Sequence, residues 1–227
     1  MRGRLDWHGY AVAWARLHGG FDPRLATPVV AGWLRMSYQI GSLLARLRVP
    51  PMAVTVAGVL LCAATPLAVL RRPDGVLAGA ALVLLAAVAD SVDGAVAVIT
   101  GRTTRLGYVY DSLADRAGEA FWLLAFWLSG APGALVVAAG AFSWLHEYLR
   151  ARSVAAGMRE IGTVTTGERP SRVAAAFVGL LLAGTIGLIR ADLAAGVVTV
   201  VAAVWALLGM FGLSQLFAAV RRSLAGQ

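Results

Sequence analysis

The chain has 227 residues, 59% of them hydrophobic and 14% charged, with a mean hydropathy of +0.74, so most of it is built for lipid rather than water. Its formal charge of +8 rests on 20 basic residues, all arginine, clustered at the ends of apolar segments. That distribution lacks the aromatic-interleaved basic face of a soluble nucleic-acid binder and points to anionic lipid headgroups and phosphates, with no nucleic acid as partner. The single cysteine, Cys62, lies within an apolar segment and leaves the redox compartment open.

Residues 1–24 mix Arg, Asp, His, Trp and Gly without a long periodic stretch and read as a cytoplasmic tail, partly ordered at most. The apolar run there is short and broken by Arg16 and His18, so no cleavable signal peptide is apparent and the spanning segments are expected to direct insertion. His8 and His18 have no spaced ligand partners and read as solvated. Within residues 25–50, Val29, Val30, Trp33, Met36, Ile40, Leu43, Leu44 and Leu47 recur at three- and four-residue steps, with Arg35, Gln39, Ser42 and Arg46 on the other side. This pattern predicts an amphipathic helix lying in the membrane interface; a helix packed on a protein core is the other reading of the same stripe. Pro50 and Pro51 then break the helix and turn the chain.

Residues 51–227 read as one six-helix transmembrane domain, with apolar segments near 53–70, 75–99, 107–129, 132–153, 171–190 and 193–219. Each has about the length that ~30 Å of hydrocarbon demands. The predicted fold class is therefore an all-α integral membrane protein of six transmembrane helices preceded by the interfacial helix. If the tail and the 100–106 and 153–170 loops face the cytoplasm, the other side keeps only Arg71, Arg72 and Arg190. The positive-inside bias thus places both termini in the cytoplasm, as in a bacterial inner membrane protein.

Four aspartates sit at the inner ends of two of these segments, where an uncompensated charge is costly. Asp90 and Asp93 are i, i+3 neighbours and Asp111 and Asp115 are i, i+4 neighbours, so each pair shares a helix face. Two such faces opposed gather four carboxylates whose repulsion requires cations. Hard oxygen ligands suit Mg2+, Mn2+ or Ca2+, and two ions about 3.5–4 Å apart support in-line displacement at phosphorus. Gly94 and Gly107 fit the same picture, since a missing side chain lets a ligand approach the backbone.

This stretch resembles the CDP-alcohol phosphotransferases of integral membranes, whose motif is D-x2-D-G-x2-A-R-x8-G-x3-D-x3-D. Asp90, Asp93, Gly94, Ala97, Gly107, Asp111 and Asp115 stand at matching spacings, and Val98 replaces the arginine. The resemblance implies two divalent cations, Mg2+ or Mn2+, on Asp90, Asp93, Asp111 and Asp115. It implies a CDP-linked lipid donor, CDP-diacylglycerol foremost, a small alcohol acceptor, and Asp115 as the catalytic base. It also implies nucleotide contacts from Thr55, Asp90, Gly94, Ala97, Gly107 and Asp111, with Arg102 as the substitute for the arginine missing at Val98, and a homodimer in the bilayer. The family's Pro-Asn-x-x-Thr stretch is here Pro51, Met52 and Thr55, a second departure on the nucleotide side. Arg150 and Arg152 look like the basic pair of members with phosphorylated acceptors, and Arg169 and Arg172 resemble them too, favouring glycerol 3-phosphate or an inositol phosphate over a neutral alcohol.

Glu119, one turn beyond Asp115, either orients Arg116 or a metal ligand or belongs to a structural salt bridge, and His146 is either an acid–base group or hydrogen-bonded in place. Two other classes fit the residues. A divalent-cation transporter would need a path to both faces, and a catalytically weakened relative would follow from Val98 and Met52.

Overall fold

The computed structural model describes residues 5–17, 19–71, 74–158 and 165–224, and every regular element among them is helical. The α-helices are α1 Trp7–Leu17, α2 Pro28–Arg46, α3 Pro51–Val69, α4 Asp74–Thr100, α5 Arg105–Leu128, α6 Gly133–Ala155, α7 Arg169–Ile189 and α8 Ala194–Leu224.

Local chemistry sets the ends. Pro51 opens α3 and Pro170 lies in the first turn of α7, where the missing N–H has no helical partner to lose. Gly101 closes α4 in the left-handed region at φ 65°, with its N–H on Val98 O at 3.2 Å and the Arg102 N–H on Ala97 O at 2.9 Å. Thr104 then caps α5, accepting the Gly107 N–H on its hydroxyl at 2.9 Å.

Four helical segments are long and apolar enough to cross a bilayer: Pro51–Val69, Asp74–Thr100, Arg169–Ile189 and Ala191–Leu224. Helices α5 and α6 have 24 and 23 residues but carry charge along their length, Asp111, Asp115, Arg116 and Glu119 on one and Glu147, Arg150 and Arg152 on the other. The six expected segments all exist as helices, and α8 runs past the expected end at 219 to Leu224.

The chain packs as two compact units, Met1–Leu60 with Leu85–Asp115, and Leu61–Leu84 with Arg116–Gln227; α3, α4 and α5 contribute to both. In the first unit, the stretch expected as a tail partly ordered at most holds α1, a helix whose Tyr10 and Ala11 are buried. Trp7, Tyr10 and Trp14 fall at helical spacing, and the Tyr10 ring centroid lies 5.2 Å from that of Tyr38 and 5.8 Å from that of Trp7. Tyr10 forms a small core with Ala95 and Val98, and its burial pushes the phenol up to about 12. His8 is exposed beside Arg24, and His18 lies outside the described residues.

The apolar stripe of α2 is buried along part of its width. Leu34, Ser37 and Gly41 are buried, Ile40 and Leu44 pack on Val54, Val92 and Val96, and Trp33 Nε1 donates to Ser91 Oγ at 2.8 Å. A Cβ on Gly41 would sit 3.0 Å from that of Ala95, so α2 crosses α4 closely there. Val29, Leu43 and Leu47, along the edge of that face, are exposed.

In the second unit α8 buries Val198, Ala202, Trp205, Gly209, Gly212, Leu216 and Ala219, one residue every three or four. Trp205 meets Phe126 edge-to-face at 6.1 Å and donates its indole N–H to Ser143 Oγ at 3.0 Å. The outer side of α8 exposes Val200, Leu207, Phe211 and Phe217, an apolar surface suited to lipid.

Candidate active site

Helix α4, the turn Gly101–Thr104 and helix α5 place the acidic motif. Ser91, Ala95 and Val98 turn one face of α4 toward α2 and α1, which leaves Asp90, Asp93, Gly94 and Ala97 along another. Asp90, Asp93 and Asp111 each present a carboxylate oxygen, all within 4.8 Å of one another. Asp93 is the most enclosed, 6% exposed, and its Oδ2 accepts the Thr55 hydroxyl hydrogen at 2.6 Å. Three carboxylates this close repel one another strongly, and hard anionic oxygens of this kind suit a divalent cation. The residues therefore fit Mg2+ or Mn2+. A Cβ built on Gly94 would meet nothing within 4 Å, so the helix offers an open approach beside the cluster.

Asp115, one turn along α5 from Asp111, is half-buried and is not one of the three clustered ligands. Gly107 lies in the first turn of α5, and Ala97 is half-buried on α4. Thr55, expected at the nucleotide, donates its hydroxyl hydrogen to Asp93, a pairing that the sequence did not reveal. Arg102 does not continue α4 beyond Val98, because the helix stops at Thr100; it sits exposed in the turn. Val98 is 9% exposed in the Tyr10 core, and Met52 is exposed at the start of α3.

The second unit holds a chain of charges. Arg172, 2% exposed, donates from Nη1 to both oxygens of fully buried Glu119 at 2.9 and 3.0 Å and from Nη2 to Glu147 at 2.5 Å. Arg116 pairs with Glu119 at 2.9 Å and approaches Glu147 at 3.6 Å. His146 is fully buried, with Nε2 2.7 Å from Thr165 Oγ1, so it is held in place by hydrogen bonding. Glu168 pairs with Arg150.

The four arginines expected around an acceptor thus have different surroundings: Arg172 is enclosed by two carboxylates, Arg150 is paired and part-exposed, Arg169 is half-buried at the start of α7 and Arg152 is exposed. Of the 153–170 loop, residues 159–164 lie outside the described residues, as do Arg72 and Pro73 of the 71–75 connection.

Fold and cluster together define a class: a multi-pass membrane protein that gathers hard oxygen ligands at a helix–turn–helix. The model of the CDP-alcohol phosphatidyltransferase family matches residues 48–211, and the chain belongs to that family. It is a divalent-metal-dependent CDP-alcohol phosphotransferase, with Mg2+ or Mn2+ as its cofactor.

Among its relatives, the archaetidylinositol phosphate synthase of Aeropyrum pernix is 32% identical over 138 residues, 60% of this chain and 70% of that one. The phosphatidylinositol phosphate synthase of Corynebacterium glutamicum is 34% identical over 154 residues, 64% and 68% of the two chains. The crystal structure of the Mycobacterium tuberculosis phosphatidylinositol phosphate synthase with CDP-DAG bound aligns with a TM-score of 0.68 at 25% identity, covering 84% of this chain and 96% of that one. The same enzyme in complex with manganese and citrate aligns with a TM-score of 0.68 at 25% identity, covering 83% and 90%.

Proposed function

We propose that the protein transfers the phosphatidyl group of CDP-diacylglycerol to a phosphorylated alcohol, an inositol phosphate ahead of glycerol 3-phosphate, releasing CMP. The gathering of Asp90, Asp93 and Asp111 on the motif's helix–turn–helix carries this reading, and the activity of the relatives supports the choice of acceptor.

Asp90, Asp93 and Asp111, with Asp115 as a further ligand, are the residues that would hold two divalent cations, which supply charge neutralisation for the diphosphate and the departing CMP. Thr55 fixes the carboxylate of Asp93 through its hydrogen bond. Gly94, Ala97 and Gly107 leave the helix backbones open to the nucleotide, and exposed Arg102 meets its phosphates from the turn. Asp115 takes the proton of the acceptor hydroxyl as that oxygen attacks the lipid-side phosphorus; the bond from this phosphorus to the bridging oxygen breaks and CMP departs. Such a transfer needs positioning and charge stabilisation, so no nucleophilic side chain is required. Arg150, Arg152 and Arg169 serve the acceptor's phosphate, while Arg172 holds α7 to Glu119 and Glu147.

Helices α5 and α6, each roughly 35 Å long at 1.5 Å per residue, cross the bilayer with the four apolar segments to make six spans. The exposed strip Val29, Leu43 and Leu47 lays α2 in the interface. Site and termini face the cytoplasm, a reading the arginine distribution supports, and two copies form a homodimer, as the family resemblance implies. The test is CMP release by purified protein with Mn2+ and CDP-diacylglycerol across inositol phosphate, glycerol 3-phosphate, inositol and serine. Release with a neutral alcohol alone, or with none, refutes the reading.

A further inference from the structure

Glu168 stands at the N-cap of α7, yet its side chain makes no capping hydrogen bond. Its Oε1 instead accepts from Arg150 Nη2, from the Thr165 N–H at 3.2 Å and from the Thr165 hydroxyl at 3.4 Å. Thr165 is itself fixed by fully buried His146. A helix-capping carboxylate has thus been turned away from its helix and spent on an arginine.

Arg150 is only partly satisfied by this. Its Nε and Nη2 lie along one edge of the guanidinium, the edge that grips carboxylates and phosphates with two parallel hydrogen bonds. Glu168 takes Nη2, and Nε is buried with no hydrogen-bond partner among the described residues. The pair is also reachable, with the Arg150 and Glu168 side chains 29% and 24% exposed, whereas Arg172 is 3% exposed between two glutamates.

Resting on the reading of the arginine end as the acceptor site, we propose that Glu168 is its specificity-determining residue: its carboxylate holds Arg150 until an acceptor's phosphate replaces it. A phosphate monoester brings about two negative charges and three acceptor oxygens, enough to take both Nε and Nη2. The Thr165 N–H keeps a bond for the displaced Glu168. A neutral alcohol offers nothing that repays separating Arg150 from Glu168 and is refused. The carboxylate is an internal competitor that only a comparable or stronger anion dislodges.

The variant Glu168→Gln keeps an oxygen for the Thr165 N–H and removes the charge. With purified protein, Mn2+ and CDP-diacylglycerol, the acceptor KM falls about three- to tenfold, the range expected for freeing a part-exposed charged partner. Inhibition by inorganic phosphate tightens in parallel, and the KM for CDP-diacylglycerol stays. A residue that merely supports the turn would weaken acceptor binding, so an unchanged or raised acceptor KM overturns the proposal. The second arm needs no turnover: the rise in Tm with added inorganic phosphate is larger for Glu168→Gln than for the unaltered protein. If no phosphorylated alcohol yields CMP while this difference holds, the acceptor reading fails and the Glu168–Arg150 exchange stands. If turnover proceeds and the difference is absent, the exchange fails alone. Glu168→Asp, which retains the charge on a shorter arm, shifts both readouts the same way by less; a shift the other way also overturns the proposal.

Discussion

Replacing Arg172 by methionine tests whether this arginine is a structural tie or a substrate contact. The side chain gives Glu119 two hydrogen bonds at 2.9 and 3.0 Å and Glu147 one at 2.5 Å, and Glu119 is fully buried. Arg172→Met leaves Glu119 with Arg116 at 2.9 Å and strands part of its charge, and losing one partner of a buried ion pair costs about 3–5 kcal/mol. For a domain of this size that lowers Tm by roughly 6–20 °C. Thermal unfolding of purified protein followed by tryptophan emission reads it directly. Adding Glu119→Gln removes the stranded charge, so the double variant recovers part of the loss, about 1 kcal/mol or more of coupling. The acceptor KM of folded Arg172→Met stays within about twofold, because the guanidinium is enclosed by protein carboxylates. A variant with unchanged Tm and a strongly raised acceptor KM would refute the reasoning and return Arg172 to the substrate.

Thr55→Val removes the hydroxyl that orients Asp93 while keeping the shape; the Mn2+ requirement rises about tenfold and CMP release recovers at high Mn2+. Asp115→Asn abolishes CMP release but leaves Mn2+ binding measurable by electron paramagnetic resonance, since Asp90, Asp93 and Asp111 remain clustered. Val98→Arg forces a charge beneath Tyr10 and costs about 2–4 kcal/mol, loosening α1, which limited proteolysis detects as earlier cleavage near residues 5–20. The buried Tyr10 phenol, raised to about 12, adds stability that is fully present below its ordinary value near 10 and is lost as pH rises through 12; phenolate absorbance during alkaline unfolding tracks it.

The six helices of residues 51–227 were legible because their ends carry local signals: Pro51, the Gly101 turn, Gly130 to Gly133, and Pro170. The acidic motif was legible because helical spacing alone puts Asp90 with Asp93 and Asp111 with Asp115 on shared faces. What the sequence concealed depends on distant partners. Thr55 meets Asp93 across 38 positions and Arg172 meets Glu119 across 53, so neither pairing leaves a local trace. Counted by position, Arg172 reads as a phosphate contact; packing adds its pairing with Glu119 and Glu147. Helix α1 was overlooked because Gly, His and Arg diluted the period of Trp7, Tyr10 and Trp14, whose partner Tyr38 lies in another helix.

The two acidic clusters differ in the side chains drawn around them. Glu119 and Glu147 meet Arg116 of α5 and Arg172 of α7, so these carboxylates are offset by cationic side chains of the protein itself. Asp90, Asp93 and Asp111 also lie within 4.8 Å of one another, and like charges at that separation favour the arrival of a cation. Among the described glutamates that face arginine, Glu168 pairs with a single one, Arg150, and is part-exposed, which is what an exchangeable counter-ion requires.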